Sequence, residues 1–316
     1  MKRTAIGIDI GGTRTKLGLV DLDTGAVSGL QVFNTVKESE EGFLQSVAQI
    51  CRRVLDEQGF AGGDLSGAGI EGAGVSIGSY VFADGCIDGM SSFVPFMTQG
   101  YPLVQRMERA LGLPVRAGND ARLIGLAESR YGAGKDYNRM MSLTLGTGIG
   151  VGLCEGGQAV GDEAFFHLAG HIKVRTGGEY PCLDSDPCYC GIEGCFESTC
   201  SGTALERYQR ETLNTEGSNR DFFDRAKGGD TRAASVLAWY LGYLAGALNQ
   251  YAYLYAPDVI VLGGGLAKGL APWESEIERR VTARVHHRHA PKVRISTLME
   301  NAGVLGAALL FLPIDV

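Results

Sequence analysis

A chain of 316 residues is longer than one hydrophobic core normally supports, so we expect two domains or lobes. Its 45% hydrophobic and 21% charged residues are typical of a globular protein, and a net charge of −7 argues against a surface dedicated to nucleic acid or anionic membranes. We interpret the basic run 279–294 as a solvated helix end. No signal-peptide pattern or apolar run of transmembrane length is present, which predicts a cytoplasmic protein.

Strand and helix patterns alternate along the first part of the chain. A meander of three strands is predicted from residue 4 onward, with a turn at Asp23-Thr24-Gly25, followed by a helix with apolar residues at helical spacing from Phe43 to Leu55. A further strand, a helix that ends at Gly112 and a strand that ends at Asn119-Asp120 come next. Residues 121–134 then predict a helix that ends in glycine. This alternation predicts an α/β fold.

The segment 139–160 repeats the opening layout of an apolar strand, a glycine turn with a threonine and a second strand, and so predicts two similar α/β lobes. A long amphipathic helix (231–255), a buried strand broken by three glycines and a small-residue helix complete the chain. We place the lobe boundary after residue 117. Residues 1–117 then form an N-terminal lobe on which the C-terminal helix 302–316 packs, and residues 118–301 form a larger lobe that carries a cysteine-rich loop.

Three glycine-rich turns follow apolar strands. The first contains Asp9, Gly11, Gly12 and Thr13; the second Gly146, Thr147 and Gly148; the third Gly263, Gly264 and Gly265. Glycine N–H groups approach an anion closely, and a carboxylate at a strand end is suited to a hydrated Mg²⁺. Hairpin-turn chemistry explains one such turn, but it explains three together poorly. We therefore predict bound ATP, with the first two turns on the phosphates and the third near the base.

Asn119-Asp120 ends a strand at the predicted lobe boundary and precedes a helix. Both residue types are favoured as helix N-caps, which is the structural interpretation of the pair. In a cleft that faces a nucleotide, Asp120 is instead placed to act as the general base that accepts a hydroxyl proton during phosphoryl transfer.

The chain has eight cysteines, and five of them fall within residues 182–200. Cys188, Cys190 and Cys195 have the spacing of metal ligands, with glycines that let the backbone fold around a tetrahedral ion, and His171 is available as a fourth ligand. The alternative is a set of three buried thiols. We predict a closed, structural Zn²⁺ site, since a catalytic zinc keeps one position open.

The strand-turn motif Asp9–Thr13, the Asn119-Asp120 pair and the motifs LGTGIGVGL, Gly170-His171, CYCGIEGCFE and DVIVLGGG resemble, in order and spacing, the ROK family of sugar kinases and sugar-responsive repressors. The resemblance spans nearly the whole chain. It implies a two-lobed, actin-like and hexokinase-type (ribonuclease H-like) ATPase fold, with an interlobe cleft that closes on ATP and a hexose. It also implies a homodimer.

The resemblance also implies roles for individual residues. Asp120 corresponds to the family's catalytic base on the sugar 6-hydroxyl, Asn119 to a sugar ligand, and Glu197 to another sugar contact. His171 corresponds to a residue that binds zinc and borders the sugar. We therefore predict ATP-dependent phosphorylation of a hexose, with ATP, Mg²⁺ and structural Zn²⁺.

Two positions depart from the family pattern. Leu168 stands where the family has a sugar-binding Glu, and Phe93 stands where a sugar-binding Asn is expected. Both changes remove hydrogen-bond partners of the hexose, which predicts an atypical sugar pocket. His167, next to Leu168, either replaces the missing Glu or is a loop imidazole that faces water.

Other functions remain open at the level of sequence. Eight residues precede Asp9, whereas the repressor branch has a helix-turn-helix module there, so DNA binding is not expected. The main alternative is a catalytically weak, sugar-binding regulatory protein, and an ATPase without a sugar substrate is a third. The segment CSGTALERY resembles allose kinases of the family, but glucose, mannose, fructose and N-acetylhexosamines remain open as substrates.

Overall fold

The structure is a computed structural model that describes residues 3–60, 69–89, 93–161, 166–174, 188–286 and 288–312. The chain divides into two compact units, the first within residues 1–127 and 300–316 and the second within residues 128–299. The boundary expected after residue 117 lies inside the first unit, which therefore contains Asp120. Residues 313–316 of the expected C-terminal helix lie outside the described residues.

The first unit contains a five-stranded sheet in the order β3-β2-β1-β4-β5. Its strands are β1 (Thr4–Ile10), β2 (Arg14–Asp21), β3 (Val27–Asn34), β4 (Ile70–Ile77) and β5 (Val115–Asn119). The first three strands pair antiparallel, which confirms the predicted meander, and β1, β4 and β5 run parallel. Consequently β1, β4 and β5 end at the same edge of this sheet.

Where the structure describes the first unit, four helices belong wholly or partly to it: α1 (Glu40–Glu57), α2 (Leu103–Leu111), α3 (Asp120–Tyr131) and α10 (Ala302–Ala308). Helix α2 ends at Gly112, as predicted, because this residue adopts a left-handed conformation with φ of 69°. Helix α10 packs on β1 and β4 at backbone distance. A Cβ on Gly7 would lie 1.9 Å from the Val304 carbonyl oxygen, so only glycine permits this approach.

The second unit repeats the strand layout of the first. Its sheet has the order β10-β9-β6-β7-β8, with strands β6 (Arg139–Leu145), β7 (Ile149–Glu155), β8 (Gln158–Ala159), β9 (Val259–Gly263) and β10 (Lys292–Ile295). Strand β6 pairs antiparallel with β7 and parallel with β9, just as β1 pairs with β2 and β4. The repeat predicted from residues 139–160 is therefore confirmed.

Among the described residues of the second unit, six helices accompany this sheet: α4 (Phe196–Cys200), α5 (Gly202–Leu213), α6 (Asn219–Lys227), α7 (Thr231–Tyr255), α8 (Ala267–Leu270) and α9 (Glu274–Thr282). Helix α7 has the predicted bounds and is capped by Asp230, whose side chain accepts hydrogen bonds from two backbone N–H groups. It fills the core with fully buried aromatic rings, among them Tyr240 and Tyr243. Within the described part of the chain, no helix has the length and apolar character needed to span a membrane.

Candidate functional site

Asp9 lies near the end of β1, where the strand enters the first glycine turn. Its Oδ1 accepts a hydrogen bond of 2.9 Å from Ser76 Oγ on β4. Burial raises the pKa of the Asp9 carboxyl, and the bond from Ser76 and the charge of Lys16 oppose this effect. The backbone of Gly303 approaches so closely that a Cβ there would lie 2.4 Å from the carboxyl carbon. Asp9 is thus a partly desolvated carboxylate at a strand end.

Hydrogen bonds from β3's end hold the first glycine turn. Gly11 N donates to Arg14 O at 3.1 Å and closes the hairpin. Thr35 Oγ1 donates to Gly11 O at 2.7 Å, and Thr35 N donates to Thr13 O at 3.0 Å. No local pattern in the sequence points to Thr35, because this residue acts from a position just after the end of β3.

Asn119 ends β5, and Asp120 begins α3. Asn119 fits the interpretation as a helix cap, and Asp120 fits the interpretation as a general base. Asn119 is the helix cap: its Oδ1 accepts from Ala121 N at 3.0 Å and from Arg122 N at 3.3 Å. The Oδ1 of Asp120 accepts from Ala121 N at 2.7 Å. Burial, and next the negative charge of Asp9, raise the pKa of Asp120 to about 6. Asp120 is therefore a carboxyl group that titrates close to neutral pH.

The second and third glycine turns lie side by side in the second unit, because both begin where neighbouring parallel strands end. Leu266 N, just after the third turn, donates to Leu145 O, just before the second, at 3.1 Å. Gly264 has φ of +83°, and a Cβ on it would lie 2.6 Å from the same carbonyl oxygen. Two of the three turns predicted to bind one nucleotide are thus in direct contact.

A cavity of about 460 Å³ opens beside the third turn. Its lining includes Gly265, Lys268 on α8, Trp273, Asn219 and Arg220. The lining as a whole contains two aromatic rings, three cationic side chains, one carboxylate and glycine backbone, a composition suited to an aromatic base joined to phosphate groups. Apart from Gly265, none of these lining residues was predicted from the sequence.

The start of α5 holds the second glycine turn. Gly202 N donates to Gly146 O at 2.6 Å, and Thr203 Oγ1 donates to Thr147 O at 3.0 Å. Sequence reasoning missed both residues. The Ser201-Gly202-Thr203 run after the cysteine cluster was the available signal, because a serine followed by small residues is typical of a helix start.

The four predicted metal ligands lie together, with their ligand atoms within 4.8 Å of one another. We call His171, Cys188, Cys190 and Cys195 the metal cluster. His171 Nδ1 lies 3.5 Å from Cys188 Sγ and 3.8 Å from Cys195 Sγ. The opposite ring nitrogen, Nε2, lies 2.7 Å from the Tyr189 hydroxyl oxygen. Nδ1 therefore faces the sulfur atoms, while Nε2 is held from outside.

Glu197 lies between the metal cluster and the second glycine turn. Its Oε2 accepts a hydrogen bond of 2.9 Å from Ile149 N, and its Oε1 lies 3.9 Å from His171 Nε2. The Glu197 backbone N donates to Gly170 O at 3.0 Å. One carboxylate oxygen thus anchors the turn, and the other borders the histidine.

The two atypical positions lie in different units. Phe93, in the first unit, has 63% of its surface exposed and packs against the first glycine turn, where a Cβ on Gly12 would lie 2.7 Å from Phe93 Cβ. Leu168 is partly buried at the end of a short 3₁₀ helix (Phe166–Leu168) in the second unit. His167, with 9% of its surface exposed, is buried. The interpretation of His167 as a loop imidazole that faces water is therefore wrong.

Comparison with known proteins agrees with this fold. The sequence profile of the ROK family matches residues 5–313. A glucokinase of Thermotoga maritima is 28% identical, over 97% of this chain and 96% of its own. An N-acetylgalactosamine kinase of Shewanella sp. is 28% identical, over 96% of this chain and 95% of its own. A crystal structure of a ROK family glucokinase from Streptomyces griseus with glucose and AMPPNP superimposes with a TM-score of 0.74 at 26% identity, covering 97% of this chain and 98% of that one.

Two α/β units, each with an antiparallel hairpin beside parallel strands, define the actin-like fold of sugar kinases. The chain belongs to the ROK family. The family identified from sequence motifs and the expected fold class are both confirmed.

Proposed function

We propose that this chain transfers the γ-phosphoryl group of ATP to the 6-hydroxyl of a hexose, with Asp120 as the general base. The observation that carries the proposal is the environment of Asp120. Burial and the charge of Asp9 raise the pKa of its carboxyl to about 6, close to the pH at which a general base works best. The similarity to a glucokinase and to an N-acetylgalactosamine kinase supports the class of reaction.

In the proposed reaction, deprotonated Asp120 accepts the proton of the sugar hydroxyl as its oxygen attacks the γ-phosphorus. A new P–O bond to the sugar forms while the bond to the β-phosphate oxygen breaks, and ADP leaves. Asn119 holds the proposed base in position, because its side chain caps α3 and Asp120 is the first residue of that helix. The predicted role of Asn119 as a sugar ligand involves its amide N–H groups, one of which donates to Ser79 O at 3.4 Å.

ATP is proposed to bind in the second unit through the second and third glycine turns. The contact of the two turns through Leu145 and the cavity beside Gly265 support this assignment. Lys268 and Arg220, which line the cavity, are suited to phosphate oxygens, and Trp273 is suited to stack on the base. The first glycine turn, in the other unit, is the further phosphate site predicted from the sequence.

Mg²⁺ is the expected companion of ATP, and Asp9 fits it. The Asp9 carboxylate is partly desolvated, and burial raises its pKa against the opposing effects of Ser76 and Lys16, so a nearby divalent cation would stabilise its charged form. When bound, the cation neutralises charge on the phosphates.

The metal cluster fits structural Zn²⁺. Ligand atoms around a tetrahedral zinc lie about 3.5 to 3.8 Å apart, given bond lengths of about 2.3 Å to sulfur and 2.0 Å to nitrogen. The distance of 3.5 Å from His171 Nδ1 to Cys188 Sγ matches the nitrogen–sulfur separation of that geometry, which is about 3.5 Å, and the distance of 3.8 Å to Cys195 Sγ is slightly longer. With Nδ1 on the metal, Nε2 would carry the proton and donate to the Tyr189 hydroxyl 2.7 Å away, which would hold the orientation of the ring.

The sugar is proposed to contact Asn119, Asp120, His171 and Glu197. It would find no hydrogen-bond partner at Leu168 and Phe93, which stand in place of the Glu and the Asn of the family pattern. Glu197 retains one carboxylate oxygen for a sugar hydroxyl, because the other is engaged by Ile149 N. The exposed ring of Phe93 offers an apolar surface beside the first glycine turn. We propose that the substrate is a hexose whose groups facing Leu168 and Phe93 differ from those of glucose, and the substrate screen below includes glucose as the comparison.

A coupled assay of ADP release over hexoses, amino sugars and polyols tests the proposal. Sugar-dependent ADP release by the wild-type protein and its loss in Asp120→Asn would support the kinase. Sugar binding by calorimetry without ADP release would favour the regulatory protein, and ADP release independent of sugar would favour the ATPase.

A homodimer is also proposed. The exposed apolar pair Tyr253 and Leu254, with 68% and 65% of their surfaces accessible at the end of α7, is a candidate contact. Light scattering after size-exclusion chromatography, with Leu254→Glu as the comparison, tests it.

A further inference from the structure

We infer that the metal cluster positions the second glycine turn, so that metal occupancy and nucleotide affinity are coupled. The nucleotide part of this inference rests on the proposed function. The observation behind it is a single short segment, residues 195–203, which begins at a metal ligand and hydrogen-bonds to both sides of that turn.

The segment is attached to the metal cluster at its first residue. Cys195 caps α4, and its Sγ accepts from Ser198 N at 3.4 Å. Cys195 also pairs with Lys173 in an isolated β-bridge, and Phe196 N donates to Ile172 O at 2.7 Å. The segment is therefore fastened to the strand-like stretch that follows His171, a second metal ligand.

From this attachment the segment reaches the far side of the turn. Glu197 Oε2 accepts from Ile149 N at 2.9 Å. The contact is close, since a Cβ on Gly148 would lie 2.7 Å from the same oxygen and a Cβ on Gly170 would lie 2.5 Å from Ile149 O. The residue that precedes His171 and the second residue of α4 thus enclose the end of the turn.

The same segment reaches the near side of the turn where α4 passes into α5. Ser201 N donates to Glu197 O at 3.1 Å, and the Ser201 side chain caps α5. Gly202 N and Thr203 Oγ1 then hold the carbonyl oxygens of Gly146 and Thr147. Helix α4 has only five residues, so a shift at Cys195 is transmitted to both attachments.

Coupling of two sites is reciprocal: a metal that strengthens nucleotide binding must itself be bound more tightly when the nucleotide is present. The test therefore measures zinc release from the intact, zinc-loaded protein to a chromogenic chelator, with and without AMPPNP. We expect AMPPNP to slow release by roughly fivefold or more, a factor typical of coupled sites.

Two matched variants of α5 test whether the hydrogen bond from this helix to the second glycine turn carries the coupling. Thr203→Val removes the bond to Thr147 O at the start of the helix, and Thr212→Val makes the same change at an exposed position near its end. Thr203→Val should retain zinc but lose most of the AMPPNP effect, whereas Thr212→Val should behave as wild type. A release rate that does not respond to AMPPNP, in a protein shown to bind it, would overturn the inference.

Hydrogen exchange provides a readout independent of nucleotide. Removal of zinc should speed exchange of the Ile149 amide, while amides of β4 in the first unit serve as the reference for global unfolding. If AMPPNP fails to bind the zinc-loaded protein, the proposed nucleotide site is wrong, and this exchange experiment still decides the coupling. Unchanged exchange at Ile149 after loss of the metal would refute it.

Discussion

The negative charge of Asp9 acts on Asp120 and, after burial, is the second cause that raises the pKa of the Asp120 carboxyl to about 6. Asp9 is the penultimate residue of β1, and Asp120 begins α3 directly after β5. Both carboxyls belong to the first unit, and both have raised pKa values. Burial and the charge of Asp9 together give the proposed base a proton affinity suited to neutral pH.

Asp120→Asn should lower kcat by about 10²- to 10⁴-fold, because phosphoryl transfer loses its proton acceptor. The fold should persist, since an Asn Oδ1 accepts the bond from Ala121 N as Asp120 Oδ1 does. Thermal stability at pH 7 should be unchanged or higher, because a buried charge repelled by Asp9 is removed. Steady-state kinetics and a melting curve check both expectations.

Asp136→Asn is the matched control, since Asp136 is an exposed acid in the loop after α3. It should leave kcat within about twofold of wild type, as surface changes usually do. Near-normal kcat in Asp120→Asn would remove Asp120 from the role of base.

The activity should rise with pH through about 6, as Asp120 loses its proton. The same loss of the Asp120 proton lowers the stability of the folded protein. The folded-state pKa is raised from 3.8, so the stabilising contribution is complete below about 3.8 and is lost as pH rises through about 6. The pH profile of kcat/KM and a series of melting curves for wild type and Asp120→Asn measure the two effects. A profile flat between pH 5 and 7 would count against a base with this pKa.

The predicted metal content is about one zinc per chain, the number that a single closed four-ligand site holds. Cys188→Ser should lower zinc content and melting temperature together, because metal binding contributes to folding in such a site. Elemental analysis and calorimetry measure them. Cys86→Ser, which changes a partly buried thiol in the first unit, is the control. Metal-free protein that is folded and fully active would exclude the zinc proposal.

Gly264→Ala should destabilise the protein by about 1 to 3 kcal/mol. Gly264 has φ of +83°, and an added Cβ would lie 2.6 Å from Leu145 O. The neighbouring change Gly265→Ala is the control, since a Cβ there meets nothing within 4 Å. Equal melting temperatures for the two variants would mean that the contact between the second and third turns is not needed for stability.

Leu168→Glu distinguishes a shifted sugar pocket from an impaired one. If Leu168 is an apolar complement to the natural substrate, a carboxylate there should lower kcat/KM for that sugar, because its charge would be left without a partner. The same change should improve kcat/KM for glucose if glucose still binds, since a charge-assisted hydrogen bond contributes about 1.5 to 3 kcal/mol. Kinetics on glucose and on the best sugar from the substrate screen decide it. A gain on every sugar would show an impaired pocket.

The sequence predicted features that depend on short segments. Glycine at a left-handed position explains the helix end at Gly112, whereas α7 ends at the left-handed Ala256. The strand-turn-strand repeat at 139–160 and the proximity of the metal ligands follow from the spacing of the motifs. Asn119 was correctly considered as a helix cap for the same reason.

The sequence did not predict the hydrogen bonds that hold the glycine turns, because their partners are distant along the chain. Glu197 and Ile149 are 48 residues apart, and Thr203 and Thr147 are 56 apart. Only the folded sheet brings such partners together. The burial of His167 was missed for the same reason, since its exposure depends on packing that has no local pattern.

Phosphorus NMR of the products tests the central claim most directly. Wild-type protein incubated with ATP, Mg²⁺ and the best sugar from the screen should form ADP and a phosphate monoester whose phosphorus couples to a CH₂ group, as a hexose 6-phosphate does. Asp120→Asn should form neither at a comparable rate. ADP with inorganic phosphate alone, or a phosphorus signal coupled to a ring CH, would contradict the proposed transfer to the 6-hydroxyl.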